Sequence, residues 1–236
     1  MFGYWDYLLF ILPALVLGLV AQYLVKSRYK KFSRVASKLG LTGAEAAKLV
    51  LSRGGVFNVG IGRVAGELTD HYDPKRNIIA LSAGVHDSRS IAAIGVAAHE
   101  AGHALQYAEN YSPIKLRMAL VPVCNIGSRL GPILIVIGCV MTYAASEASA
   151  ELGFIIYAIG IALFSAVALF QLVTLPVELN ASKRALVALE SGGVLDGDEL
   201  SGAKKVLTAA ALTYVAALVS AILQVLYYAS RFRPRD

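Results

Sequence analysis

Hydrophobic positions in this chain come mainly in long unbroken runs, not in the alternating or 3.6-residue patterns of water-soluble elements. Four stretches carry no Asp, Glu, Lys or Arg: Tyr7 to Val25, Leu130 to Ser146, Leu152 to Val177 and Leu207 to Ser230. A helix needs about 20 apolar residues to cross a hydrocarbon core of about 30 Å, and these runs hold 19, 17, 26 and 24. Each is rich in Leu, Ile, Val and Ala. Tyr227 and Tyr228 close the last, where amphipathic rings suit the headgroup layer. The runs predict four transmembrane helices. No Lys or Arg precedes the first, so it reads as a retained anchor and not as a cleaved signal peptide.

Between the first and second runs the pattern changes. Thr42-Gly-Ala-Glu45 has the form of a capping box and predicts a helix through Ala46 to Leu51 that stops at Gly54-Gly55. Val56 to Val64 mixes β-branched residues with glycine and reads as a strand. Asp73-Pro-Lys-Arg-Asn77 is a turn, and Ile78 to Leu81 reads as a second strand, so Glu67 to Leu81 predicts a β-hairpin. Ser88 to Tyr107 predicts a long, Ala-rich helix.

Composition agrees with the runs. Apolar residues make up 57% and charged residues 16%, against roughly 45–50% and about 25% in soluble domains. A net charge of +6 would suit nucleic acid, but its placement does not. Lys26, Arg28, Lys30, Lys31, Arg34 and Lys38 crowd behind the first run with no acid among them, which marks a cytoplasmic membrane face. The expected partner is the lipid bilayer; no nucleic acid is expected. The same rule puts residues 26–128 and 178–206 in the cytoplasm and the hairpin tip around Glu147 and Glu151 outside. Arg231, Arg233 and Arg235 oppose that order but are fewer. Cys124 and Cys139 form no CxxC pair and read as small apolar residues, not a disulfide.

The predicted long helix carries His99-Glu100-Ala101-Gly102-His103. Histidines at i and i+4 share one helix face, so two imidazoles can reach one ion. The adjoining glutamate can take a proton from a water that the metal activates. Zinc accepts imidazole and keeps an open position in catalytic sites. Two ordinary histidines on an amphipathic helix are the bland alternative. This helix, however, is apolar nearly all round and therefore buried, and uncoordinated buried histidines beside a glutamate are costly. A catalytic zinc wants a third ligand. Glu178 follows the third run at once, on the side of the motif, where Pro176 suits the first turn of a helix and Ser182 shares the glutamate's face. Asp196, in Leu195-Asp-Gly197, is the rival, although its polar, glycine-rich surroundings read as a turn. Glu109 lies on the wrong face of the motif helix, and Asn180 lies off the ligand face.

With these residues assembled, the chain resembles the membrane-bound neutral zinc metallopeptidases of bacteria, the YugP-like family. The likeness includes Leu41-Thr-Gly-Ala44, Gly66-Glu-Leu-Thr-Asp-His-Tyr-Asp-Pro74, Arg89 through Ala93, Ala98-His-Glu-Ala-Gly-His103 and Phe170-Gln-Leu-Val-Thr-Leu-Pro-Val-Glu178. Glu178-Leu-Asn-Ala-Ser182 also looks like the ExxAD of HtpX-type and prenyl-protein proteases, a gluzincin pattern. That resemblance implies that Glu178 is the third zinc ligand and that Ser182, standing where those proteins carry Asp, supports a ligating histidine. In HtpX-like folds the strand before the motif helix lines the substrate cleft, so one reading gives His71 or Tyr72 a role beside the oxyanion and makes His71 a candidate catalytic residue; the other is that Asp70, Asp73 and Pro74 build a turn in which His71 is structural.

The expected protein is mainly α: a multi-pass membrane protein with about four transmembrane helices and a zincin-like cytoplasmic catalytic part carrying a small β-hairpin. The expected organisation is an anchor over 1–25, a catalytic region over 26–128, a two-span hairpin over 129–177, a cytoplasmic helical segment with the third ligand over 178–206, and a C-terminal membrane helix and tail over 207–236. The expected activity is a zinc-dependent endopeptidase of the cell membrane acting on membrane or membrane-proximal polypeptides. His99, His103 and Glu178 would hold Zn2+ and Glu100 would serve as general base. The alternative is a catalytically silent zinc-binding scaffold or chaperone-like protein, against which an intact Glu100 weighs. A transporter is disfavoured by the sparse polar content of the four runs.

Overall fold

The protein is described from a computed structural model. The structure describes residues 4–144 and 147–231, so Ser146, Arg233 and Arg235 lie outside the described residues. The elements in chain order are α1 (Tyr4–Phe32), α2 (Gly43–Arg53), β1 (Gly60–Val64), β2 (His71–Asp73), β3 (Ile78–Ser82), α3 (Ala83–His86), α4 (Ile91–Ala108), α5 (Ser112–Ala144), α6 (Glu147–Ser191) and α7 (Gly197–Arg231). The fold is mostly helical, and α1, α5, α6 and α7 are each long and apolar enough to cross a membrane.

These four helices run well past the charge-free stretches that announce them. The 45 residues of α6 make about 68 Å of helix at about 1.5 Å per residue, roughly twice a hydrocarbon core. This corrects one expectation. Pro176 does not open a new helix; it lies inside α6. Its missing N–H leaves the Leu172 carbonyl without its usual partner four residues on, a defect that long apolar helices accommodate. Glu178 therefore rides on a continuous extension of the third span.

The chain forms two compact units. The first comprises Met1–Val20, Lys115–Leu175 and Tyr214–Asp236. Within it, α5 and α6 approach through glycine. A Cβ added at Gly127 would run into the Leu163 carbonyl, and one at Gly160 would lie 2.7 Å from the backbone nitrogen of Ile135. Lipid offers no hydrophobic drive between helices, so close backbone packing of this kind takes its place. Leu9, Leu12, Val136 and Val140 stand exposed on these helices, as side chains facing lipid would.

The second unit comprises Ala21–Ile114 and Pro176–Thr213. Its core surrounds α4, which is buried nearly all round and starts at Ser90, whose hydroxyl accepts from the Ala93 N–H at 3.2 Å. The capping box of α2 forms as predicted, with the Thr42 N–H donating to the Glu45 carboxylate at 2.7 Å. Ala46, Ala47, Val50 and Leu51 of α2, Val85 of α3, Ala185 and Leu189 of α6, and Ala203, Val206 and Leu207 of α7 join the α4 core. The predicted hairpin is β2–β3, antiparallel with His71 opposite Ala80. It is part of a three-stranded sheet of order β1-β3-β2, because β1 adds in parallel to the other side of β3. Ile79 and Leu81 of this central strand are fully buried.

Candidate metal centre

The motif helix α4 and the distal part of α6 touch backbone to backbone. Gly102, inside the HEAGH sequence, has no side chain, and a Cβ there would lie 2.5 Å from the Ala181 carbonyl oxygen. On α6, Val177, Ala181, Ala185 and Leu189 recur every four residues and are fully buried, so that face is fixed against the core. Glu178 stands one residue along from this stripe and is carried toward the histidines.

The result is a three-residue cluster. Glu178 Oε2 lies 3.2 Å from His99 Nε2 and 3.4 Å from His103 Nε2. One donor atom from each of the three residues lies within 4.8 Å of the others, a group able to hold a metal ion. Donors on a tetrahedral zinc with bonds of about 2.05 Å sit about 3.3 Å apart, so the carboxylate-to-imidazole spacings fit the ion. The chemistry fits as well: two imidazoles and a carboxylate are a common catalytic zinc set. Glu178 and His103 are buried and His99 is half-buried. Burial works against the His103 imidazolium, but the Glu178 carboxylate bonded to it, with the charge of Glu100 and the Gln106 contact, lifts it above its ordinary value. Proton and metal thus compete for one nitrogen.

Each imidazole is held by its other nitrogen. His99 Nδ1 lies 3.0 Å from Ser182 Oγ, so a hydroxyl of α6 meets this imidazole of the cluster. His103 Nδ1–H donates to Gln106 Oε1 at 3.0 Å. Gln106, completely buried, donates in turn to the Val177 carbonyl at 2.8 Å and to Asn180 Oδ1 at 3.0 Å. Arg184 Nε also donates to Asn180 Oδ1, at 2.7 Å, and its guanidinium pairs with Glu109 at 2.6 Å. Two expectations change. Asn180 lies off the ligand face yet joins the support of His103 through Gln106, and Glu109 anchors the outer end of the same chain. Gln106 escapes the sequence reading altogether. A signal existed: it stands three residues after His103, on the same face of an otherwise apolar helix.

This arrangement predicts the effect of Gln106→Ala. Loss of a partner that orients a metal-binding histidine costs about 10–100-fold in metal affinity. Competition titration of the purified variant against a chromophoric chelator is expected to show a loss in that range. Wild-type affinity would remove Gln106 from the support of the site.

The remaining candidates fall as follows. Glu100 is buried beside the cluster, and among the described residues no group donates a hydrogen bond to its carboxylate. His71 is exposed on the edge strand β2, and its Nδ1–H donates to the Thr69 carbonyl at 2.9 Å; it is not in the metal-binding group. Its neighbour Tyr72 meets Tyr107 of α4 edge to face, with centroids 5.4 Å apart. Asp196 lies in the turn before α7, exposed and bonded to Lys38 at 3.2 Å, and it too is outside the group.

Comparison with known proteins agrees with the chemistry of this cluster. Residues 7–233 match the family model described as "Putative neutral zinc metallopeptidase". The chain is 44% identical over 221 residues to the "Putative membrane protease YugP" of Bacillus subtilis (strain 168), covering 94% of each chain. No solved structure gives a significant match.

Proposed function

This chain belongs to the neutral zinc metallopeptidase family, and we propose that it is an endopeptidase cutting membrane proteins and membrane-proximal polypeptides at the His99–His103–Glu178 centre. The observation that carries this reading is the spacing of Glu178 Oε2 from the two Nε2 atoms, 3.2 and 3.4 Å, with the buried carboxylate of Glu100 near enough for its charge to act on His103. His99, His103 and Glu178 would hold a zinc ion, which would supply Lewis-acid polarisation of the scissile carbonyl and make water more acidic.

The protein's own groups do the rest. Gln106 Oε1 accepts from His103 Nδ1–H and so fixes that ring's tautomer and rotation, and Ser182 holds the rotation of His99, so that both rings turn Nε2 toward Glu178. Glu100, with its oxygens open, takes the proton of the attacking water and delivers it to the leaving amine. The edge strand β2 is suited to receive an extended substrate as an added strand. His71 on that edge would stabilise the oxyanion through Nε2.

The proposed setting is a cell membrane with the catalytic part toward the cytoplasm, supported by the six unopposed basic residues after the first apolar run. Glu178 follows that charge-free third run by one residue, which suits substrates that leave the bilayer nearby. The test uses the full chain purified in detergent. About one zinc per chain and cleavage of an unstructured fluorogenic polypeptide are expected; a chelator removes both and added zinc restores both. Cleavage that survives metal removal would refute the mechanism. Stoichiometric zinc without cleavage would instead favour the silent scaffold.

A further inference from the structure

A cavity of about 330 Å³ lies between α1 and α7, away from the metal centre. It is an open groove with a mainly apolar wall; Arg28, Ser201, Lys204, Lys205 and Thr208 border it together with Leu24, Ala209 and Leu212, and no acid lines it. The residues come from coherent faces. Leu24 and Arg28 are i and i+4 on α1, and positions 201, 204, 205, 208 and 212 follow i+3 and i+4 steps on α7.

Two features define its ligand. The first is depth. On α1 the charge-free run ends at Val25, between Leu24 and Arg28; on α7 it begins at Leu207, between Lys205 and Leu212. On both helices the cavity straddles the change from apolar to charged, the height of lipid headgroups. The second is uncompensated charge. Lys38, Arg63 and Arg184 of the same unit pair with Asp196, Asp87 and Glu109. Among the described residues, Arg28, Lys204 and Lys205 have no carboxylate within ion-pair distance.

We propose that this cavity binds the headgroup phosphate of an anionic phospholipid. The bordering cations and hydroxyls are of the kind that recognises phosphate oxygens, and the mainly apolar wall with Leu24 and Leu212 provides a surface for the acyl chains that a soluble phosphate would leave unused. Basic pockets between membrane helices select such headgroups.

The test measures phosphatidylglycerol bound to the full chain in detergent by native mass spectrometry, with phosphatidylcholine as the neutral comparison. Phosphatidylglycerol binds preferentially to the wild type. K204Q/K205Q weakens it on the order of twentyfold, from about fivefold per cation near an anionic surface. K26Q/K30Q removes the same charge from exposed positions outside the cavity and leaves the preference intact. T208W, at an exposed position, fills the cavity, keeps every cation and abolishes the preference. Equal weakening in the two double variants, or an unchanged preference in T208W, would reduce the effect to diffuse surface charge and overturn the proposal. Displacement of the lipid by inorganic phosphate at equal concentration would overturn it in favour of a soluble anion.

Discussion

Replacing Glu100 by Gln is expected to lower the rate of peptide hydrolysis by about 10²–10⁴-fold, the usual contribution of a positioned acid–base group, while the protein keeps its zinc. Glutamine preserves the size of the side chain but has no basicity, so the substitution removes the proton acceptor with little change in packing. Glu100 is buried beside the two histidines, and its charge is one of the influences that raise His103. Neutralising it eases loss of the His103 proton, which does not oppose metal binding. Single-turnover cleavage of a fluorogenic peptide and elemental analysis of the same preparation separate the two effects. Hydrolysis within a factor of ten of the wild type would mean that another group moves the proton.

The second large effect is expected at Glu178. Glu178→Gln keeps the shape of a residue that is 2% exposed but replaces its anionic donor by a neutral amide. Zinc affinity should fall by more than the 10–100-fold that outer partners control, because here the ligand itself changes. Asp196→Ala is the matched comparison, expected to leave zinc unchanged, since Asp196 is exposed and paired with Lys38. Retained zinc in Glu178→Gln together with loss in Asp196→Ala would exchange the roles of the two acids. Chelator competition reads both variants on one scale.

Much of this architecture is legible in the sequence because it depends on neighbours along one chain segment. Charge-free runs reveal spans, and the i, i+4 histidines of one helix necessarily share a face. Helix ends are less legible: the runs stop at the first Lys or Glu, whereas α1 continues through Lys26 to Phe32 and α6 continues through Pro176 to Ser191. The parallel pairing of β1 with β3 is a contact between separated segments that no local alternation announces. The same distinction divides the site. Glu178 comes within reach through its place at the end of a span and through family resemblance. The chain from His103 through Gln106 and Asn180 to Arg184 depends on how α6 is rotated against α4. That rotation is fixed by the close approach at Gly102 and Ala181, which spacing within a single helix does not specify.

The cluster joins two stretches of chain separated by α5 and the apolar first part of α6. Glu178 is 75 positions after His103, so at about 5–20 residues per second of synthesis it is made roughly 4–15 s later. With Glu178 as third ligand, the growing polypeptide carries an incomplete centre until most of the intervening hairpin has left the ribosome, and that hairpin is the part that needs a bilayer. The order of synthesis alone therefore leaves the cluster without its carboxylate until α5 and the apolar part of α6 have been made.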